Sequence, residues 1–85
     1  MYYVYIIYSD ITDRYYIGSC KDLELRIKHH NLSLTPSTKG GAPNWIIKYV
    51  ETLENRSEAL KREILIKKKK SRKYICWLIN NTPFE

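Results

Sequence analysis

Runs of apolar residues divide the chain into three strand-like segments. Residues 2–9 and residues 14–19 are rich in aromatic and β-branched side chains, which is typical of strands. The turn-like residues 10–13 lie between them, so these two strands are predicted to form a hairpin. Residues 45–53 have a similar composition and are predicted to form the third strand.

Apolar residues at helical spacing indicate three helices, each preceded by a residue that can cap it. The predicted caps and helices are Asp22 before residues 23–31, Ser57 before residues 58–70 and Ser71 before residues 72–80. Residues 32–44 are rich in Ser, Thr, Pro and Gly, so they are expected to form a surface loop. Residues 82–85 are expected to form a tail.

The element order β-β-α-β-α-α predicts an α+β fold, in which helices pack on a three-stranded antiparallel sheet. Eighty-five residues are enough for one small domain, so residues 1–85 are assigned to a single domain. The chain is 44% hydrophobic and 13% aromatic, which supports a folded core and argues against a disordered tail or linker.

Charge and cysteine content narrow the classes of function. Fifteen Lys and Arg residues against nine Asp and Glu residues give a net charge of +6, which favours polyanions as partners. Two cysteines are too few for a disulfide scaffold, so a reducing, cytoplasmic location is expected. The longest apolar stretches fall far short of the roughly 18 residues of a membrane span, and no signal peptide is indicated. No structural zinc site is expected, because zinc-site spacing is absent among Cys20, His29, His30 and Cys76.

The predicted hairpin brings a pair of tyrosines together. With residues 10–13 as the loop, Ile7 lies opposite Tyr16 and Tyr5 lies opposite Gly18. Tyr5 and Tyr16 are then diagonal neighbours on one face, about 7–8 Å apart and within reach of a shared ligand. Glycine at position 18 should leave a gap on this face, and the close approach of a ligand is one reason to place glycine in a strand. A tyrosine-rich hairpin without a site is the alternative.

Polar residues on the predicted helices add candidate chemistry. Arg26 and His30 are four residues apart, so they project from one face of the first helix. For an isolated pair of this kind, a solvated basic edge is the favoured explanation. The apolar face predicted for the second helix consists of Ala59, Leu60, Ile64 and Ile66. Glu63 falls on this face, between Ala59 and Leu60. A buried carboxylate needs a partner, which is expected to be Arg26, a hydroxyl group or a metal ion. A contact that only holds the fold together and a metal site therefore both remain open.

A basic run spans the end of the second helix and the start of the third. It consists of Lys67, Lys68, Lys69, Lys70, Arg72 and Lys73. Most such runs are solvated helix faces, and a nuclear-localisation signal is an unspecific alternative. Because the whole chain is basic, contact with nucleic-acid phosphates is the functional interpretation.

Four short motifs follow one another along the chain. They are Tyr3-Val4-Tyr5, Tyr16-Ile17-Gly18, Arg26 with His30, and Glu58-Ala59-Leu60 with Glu63. In this order they resemble the GIY-YIG nuclease superfamily over nearly the whole chain. The resemblance is strongest to small bacterial members that stand alone, described as excinuclease-like or URI-domain proteins.

The resemblance implies the GIY-YIG fold and hydrolysis of DNA phosphodiester bonds with one divalent cation, Mg²⁺ or Mn²⁺. The roles that it implies are Tyr5 and Tyr16 as motif tyrosines, Gly18 as motif glycine, Arg26 as phosphate-stabilising arginine, His30 as an aid to proton transfer and Glu63 as metal ligand. Either tyrosine can be the general base, with a preference for Tyr5. A tyrosine in that role needs nearby positive charge, since its ordinary pKa is about 10.

Two positions depart from the family pattern. Tyr3 stands in place of the first motif glycine. Ser19 follows Gly18 where repair-nuclease relatives have a lysine, so one positive charge near the expected site is missing.

Two hypotheses of function follow. The first is a DNA endonuclease or nickase with little sequence preference, acting in repair or recombination, with branched or single-stranded DNA among its candidate substrates. Cutting both strands then requires a homodimer, a larger repair partner or two encounters, because one site is present. The second is a nucleic-acid-binding module or adaptor that keeps the fold but performs no useful chemistry.

Overall fold

The computed structural model describes residues 1–81, so the tail predicted at residues 82–85 lies outside the described residues. The elements in chain order are β1 (Tyr2–Ser9), β2 (Arg14–Cys20), α1 (Leu23–Asn31), a 3₁₀ helix (Pro36–Gly41), β3 (Ile46–Leu53), α2 (Arg56–Lys68) and α3 (Arg72–Asn81). The predicted order β-β-α-β-α-α and the α+β class are confirmed. No helix within residues 1–81 has the length and apolar character that a membrane crossing requires.

The three strands form one antiparallel sheet in the order β2-β1-β3. The predicted hairpin register is confirmed, with Tyr5 opposite Gly18 and Ile7 opposite Tyr16. The central strand β1 is buried over four consecutive residues, 4–7, because the sheet is covered on both faces. Successive side chains of β1 and β2 therefore enter two different layers of the protein.

The two faces of the sheet carry different helices. One core is formed with α2 and α3 by Val4, Ile6, Ile17, Tyr49, Ala59, Ile66 and Leu78. The other lies under α1 and the residues after the 3₁₀ helix, and is formed by Tyr5, Ile7, Cys20 and Trp45. Side chains from both layers, Arg26 of α1 and Leu60 of α2, line a cleft of about 240 Å³ at the end of the edge strand β2. Residues from both faces thus meet at this edge.

Two of the three predicted helix caps are confirmed. Asp22 accepts a hydrogen bond from the backbone N–H of Leu25 at the start of α1, and Ser71 accepts one from Tyr74 at the start of α3. The predicted cap Ser57 is wrong, because Asn55 Oδ1 accepts the Glu58 N–H (2.9 Å). Asn55 lies in extended backbone and the helix begins at the next residue, which places Ser57 inside the first turn.

The expectation of a surface loop at residues 32–44 is only partly correct. The segment contains the 3₁₀ helix, in which Thr38 and Gly41 are buried. The indole N–H of Trp45 donates to the Thr38 carbonyl (2.8 Å), and the Trp45 ring lies so close to Gly41 that an added Cβ would meet it at 2.5 Å. These contacts hold the segment against the sheet.

The face of α2 that packs on the sheet differs from the predicted apolar face. Ala59 and Ile66 are buried as expected, but Leu60 and Ile64 are 49% and 51% exposed. The helix contacts the sheet along positions 59, 63 and 66, which lie on one face at helical spacing. Glu63 therefore faces the sheet, as the pattern predicted.

Candidate active site

A chain of hydrogen bonds links β1, α1 and the 3₁₀ helix on the face of the sheet that α1 covers. The Tyr5 hydroxyl lies 2.9 Å from His30 Nε2, and His30 Nδ1 lies 2.7 Å from Thr38 Oγ1. The Thr38 hydroxyl donates to the carbonyl of Thr35 (3.3 Å), so it accepts from the ring. This network assigns the ring hydrogen to Nδ1 and leaves Nε2 to accept the proton of Tyr5.

Burial keeps both members of the Tyr5–His30 pair neutral. Burial, together with the nearby Arg26 and His29, lowers the pKa of His30 to about 4. Burial also raises the pKa of Tyr5, and Tyr16 adds to this effect, whereas Arg26 opposes it. The proton shared by the pair therefore stays on the Tyr5 oxygen at neutral pH.

The space opposite Gly18 is filled by Tyr5 itself. A Cβ at position 18 would lie 2.6 Å from Tyr5 Cζ and would also collide with the hydroxyl group. The expected gap for a ligand at this point is therefore wrong. Glycine is required at position 18 because the tyrosine ring lies flat against the neighbouring strand.

Tyr16 lies beside the Tyr5–His30 pair. Its ring packs edge to face on His30, with 5.2 Å between the ring centroids, and on Trp45 at 6.5 Å. The Nζ atom of Lys67 lies 5.8 Å from the centroid of the same ring. Tyr16 thus lies between the buried imidazole and a basic side chain of α2. Of the two motif tyrosines, Tyr5 is the one that hydrogen-bonds to His30.

Arg26 is a half-buried cation at the edge of this group. Its charge lowers the pKa of Tyr5, so it lies near enough to stabilise negative charge on that oxygen. It lines the cleft at the end of β2 together with Ser19 and Arg56. The expected partnership with Glu63 is not seen, because Arg26 forms no ion pair within residues 1–81.

Glu63 is bound through both carboxylate oxygens. Its Oε1 accepts a hydrogen bond from the Ser19 hydroxyl (2.5 Å), and its Oε2 accepts one from Lys67 Nζ (2.6 Å). Its side chain is 14% exposed. Of the three partners expected for this carboxylate, namely Arg26, a hydroxyl group or a metal ion, the structure has the hydroxyl group. Lys67 brings a positive charge to the carboxylate that Ser19 contacts.

The structure divides the basic run among different surroundings. Lys67 contacts the site, and Arg72 pairs with Asp13 in the hairpin loop (2.8 Å). Together with Lys70 and Arg14, both line a cleft of about 330 Å³ between β2, α2 and α3. The remaining members are the exposed residues Lys68, Lys69 and Lys73. The run is not a single helix face, because α2 ends at residue 68 and Lys70 takes a left-handed backbone conformation (φ 47°).

A comparison with protein-family models matches residues 1–75 to the GIY-YIG catalytic domain. The chain belongs to the GIY-YIG family. Comparisons with curated proteins and with solved structures give no match. Domains of the GIY-YIG family are generally endonucleases that act on DNA and depend on a divalent metal ion.

The donor groups of this GIY-YIG site fit a weakly held magnesium-type ion. Within residues 1–81, no three His, Cys, Asp or Glu side chains come together as a ligand cluster. Mg²⁺ does not require one, because it keeps several waters and binds through one or two carboxylates together with substrate phosphate. Glu63, with the Ser19 hydroxyl beside it, is the group that would hold such an ion.

Three residues of the GIY-YIG site were not found by sequence reasoning in these roles. They are Thr38, Ser19 and Lys67. Thr38 lies in a segment that was expected to be a surface loop, and no local pattern connects it with His30. The contact between Lys67 and Glu63 could have been predicted from the sequence. Lys67 lies four residues after Glu63, and Glu–Lys pairs at this spacing meet on a helix.

Proposed function

We propose that this chain is a divalent-metal-dependent DNA endonuclease or nickase with little sequence preference, acting in DNA repair or recombination. The observation that carries the proposal is the bond between Tyr5 and the neutral imidazole of His30, with Arg26 and Glu63 acting on the same tyrosine. This arrangement provides a proton acceptor and charges of both signs in one place.

Tyr5 is the better supported general base of the two tyrosines. Its hydroxyl can take a proton from an attacking water while it passes its own proton to His30 Nε2. Concerted transfer of this kind avoids a free tyrosinate, whose formation burial disfavours. Tyr16 contacts the imidazole only through its ring edge, so it is assigned to positioning the phosphate.

Arg26 is proposed to bind the non-bridging oxygens of the phosphodiester. Its guanidinium is planar and permanently charged, so it can oppose the negative charge that develops during in-line attack. Glu63 would hold the Mg²⁺ or Mn²⁺ ion, which supplies Lewis-acid activation of the phosphate when bound. The cleft lined by Arg14, Lys70 and Arg72 offers contacts to flanking phosphates that carry no sequence information.

One observation favours the second candidate, a binding module without useful chemistry. Both oxygens of Glu63 are already engaged within the protein, as they would be in a carboxylate with a purely structural role. The cleavage assay below separates the two functions.

The test is nicking of supercoiled plasmid in Mg²⁺ or Mn²⁺. Glu63→Gln and Arg26→Ala are expected to lower the cleavage rate on the order of 10²-fold or more. Glu63→Gln should mostly retain its DNA affinity. Glu58→Gln is the matched control, because Glu58 lies on the same helix and its side chain is 54% exposed. It should cleave like wild type.

Three other results would change the assignment of the function or of the site residues. Salt-sensitive binding without cleavage by any variant would favour the binding module. Equal cleavage by all variants would indicate a contaminant and would remove support from the assigned site. A lower melting temperature of Glu63→Gln, with unchanged cleavage, would give Glu63 a structural role only.

A further inference from the structure

Lys67 makes an unusually protected ion pair for a residue in a solvated basic run. Its Nζ lies 2.6 Å from Glu63 Oε2, and the Glu63 side chain is only 14% exposed. The other ion-paired carboxylates within residues 1–81 are more accessible, from 27% at Glu51 upward. Surface pairs four residues apart on a helix contribute little, but a shielded carboxylate holds its partner more strongly.

The same ammonium group also faces an aromatic ring of the site. Lys67 Nζ lies 5.8 Å from the centroid of Tyr16, within the range of a cation–π contact. Lys67 thus lies between the carboxylate and one of the two motif tyrosines. Lys69 shows the contrast, because its Nζ lies over the ring of Tyr74 on α3.

A divalent cation that bound Glu63 Oε2 would meet the ammonium group of Lys67. Mg²⁺ binds oxygen ligands at about 2.0–2.1 Å, so on Oε2 it would lie less than about 5 Å from an ammonium held at 2.6 Å. Two positive charges at that distance repel each other. The other oxygen is held by the Ser19 hydroxyl, which is neutral and compatible with a nearby metal ion.

The side chain of Lys67 is able to move. It is 47% exposed and has a flexible four-carbon stem with a compact charge at its end. It also lines the cleft that contains Lys70 and Arg72. Rotation of the stem would bring the ammonium group toward a polyanion bound in this cleft.

We propose that Lys67 is a positioning residue that competes with the divalent cation for Glu63 Oε2 and, when displaced, binds the substrate phosphate. The second part rests on the proposed function, whereas the competition itself does not. Lys67 thereby neutralises Glu63 when no cation is bound and couples binding of the cation to placement of the phosphodiester.

The competition is tested by titrating the protein with Mn²⁺ alone and measuring free Mn²⁺ by electron paramagnetic resonance. Lys67→Gln should bind Mn²⁺ at least about three-fold more tightly than wild type, because a positive charge next to the ligand is removed. Lys61→Gln is the matched control, since Lys61 lies on the same helix and pairs with exposed Glu58 (3.9 Å). Its affinity for Mn²⁺ should stay close to that of wild type. Lys67→Met, which keeps the length of the stem, replaces Lys67→Gln if circular dichroism shows that the glutamine variant is unfolded.

The second part is tested by cleavage at saturating Mn²⁺, where Lys67→Gln should bind the metal more tightly yet cleave DNA more slowly. If the Lys67 variants bind Mn²⁺ no more tightly than wild type, Lys67 does not compete with the cation. The same conclusion follows if Lys61→Gln gains as much Mn²⁺ affinity as Lys67→Gln. If Lys67→Gln cleaves DNA as fast as wild type at saturating Mn²⁺, Lys67 does not bind the substrate phosphate. If wild type does not cleave DNA but Lys67→Gln still gains Mn²⁺ affinity, the proposed function fails and the competition stands.

Discussion

His30 is a fully buried imidazole between two hydroxyl groups, and this position determines its chemistry. Because burial lowers its pKa to about 4, the folded protein resists a protonation that the unfolded chain accepts near pH 6.5. Its contribution to stability is therefore complete above about pH 6.5 and is lost as the pH falls through about 4. In the working range of a neutral-pH enzyme, the ring is available as a proton acceptor.

Thr38 decides which ring nitrogen accepts, so its side chain can be tested directly. Thr38→Val should leave the Nδ1–H of His30 without an acceptor at a buried site, which costs about 1–3 kcal/mol of stability. Thr38→Ser keeps the hydroxyl group and should behave much like wild type. Denaturant unfolding gives the stability, and ¹⁵N NMR of the imidazole gives the tautomer.

The NMR readout separates a positioning role from simple packing. Wild type and Thr38→Ser should show hydrogen on Nδ1 of His30, whereas Thr38→Val should show a changed tautomer population. If the valine and serine variants have the same ring spectrum, Thr38 has no part in orienting His30. A loss of stability alone would then reflect core packing.

At the scale of elements, local sequence decided much of what could be predicted. The hairpin register follows from the turn at residues 10–13 and the alternation on each side of it, and the structure has Tyr5 opposite Gly18 as expected. The start of α2 was missed because Asn55 and Ser57 are both good caps, two residues apart. Only the backbone conformation, extended at Asn55, separates the two candidates.

This difference gives a stability prediction for α2. Asn55→Ala should destabilise the protein by about 1 kcal/mol, because the Glu58 N–H loses its acceptor. Ser57→Ala is the matched control and should change stability by less than about 0.5 kcal/mol, since Ser57 is exposed within the first turn. Urea unfolding of both variants provides the measurement. A larger loss in Ser57→Ala than in Asn55→Ala would contradict the observed helix start.

Most partners of the site residues could not be predicted from local patterns. Sequence reasoning named Glu63 as a carboxylate in need of a partner, but its two partners come from β2 and from the next turn of α2. The acceptor for His30 Nδ1 comes from Thr38, in a segment whose path depends on Trp45. Apart from Lys67, which lies four residues after Glu63 on the same helix, these partners are set by tertiary packing, which short-range spacing does not encode.

At the scale of the whole molecule, positive charge is placed unevenly around the site. The cleft between β2, α2 and α3 contains Arg14, Lys67, Lys70 and Arg72. Lys48 lies on β3, which forms the opposite edge of the sheet from β2. A polyanion bound near Glu63 is therefore expected along the β2 edge and the turn between α2 and α3.

Salt dependence of DNA binding tests this placement. Replacing Lys68, Lys69 and Lys70 with glutamine should weaken binding to all DNA sequences alike, because phosphate contacts carry no base information. The slope of log affinity against log salt concentration should fall by about 0.9 for each phosphate contact that is lost. Lys48→Gln, at the other edge of the sheet, should leave the slope nearly unchanged. A loss confined to particular sequences would point to base contacts, and an equal effect of Lys48→Gln would mean that DNA does not follow the β2 edge.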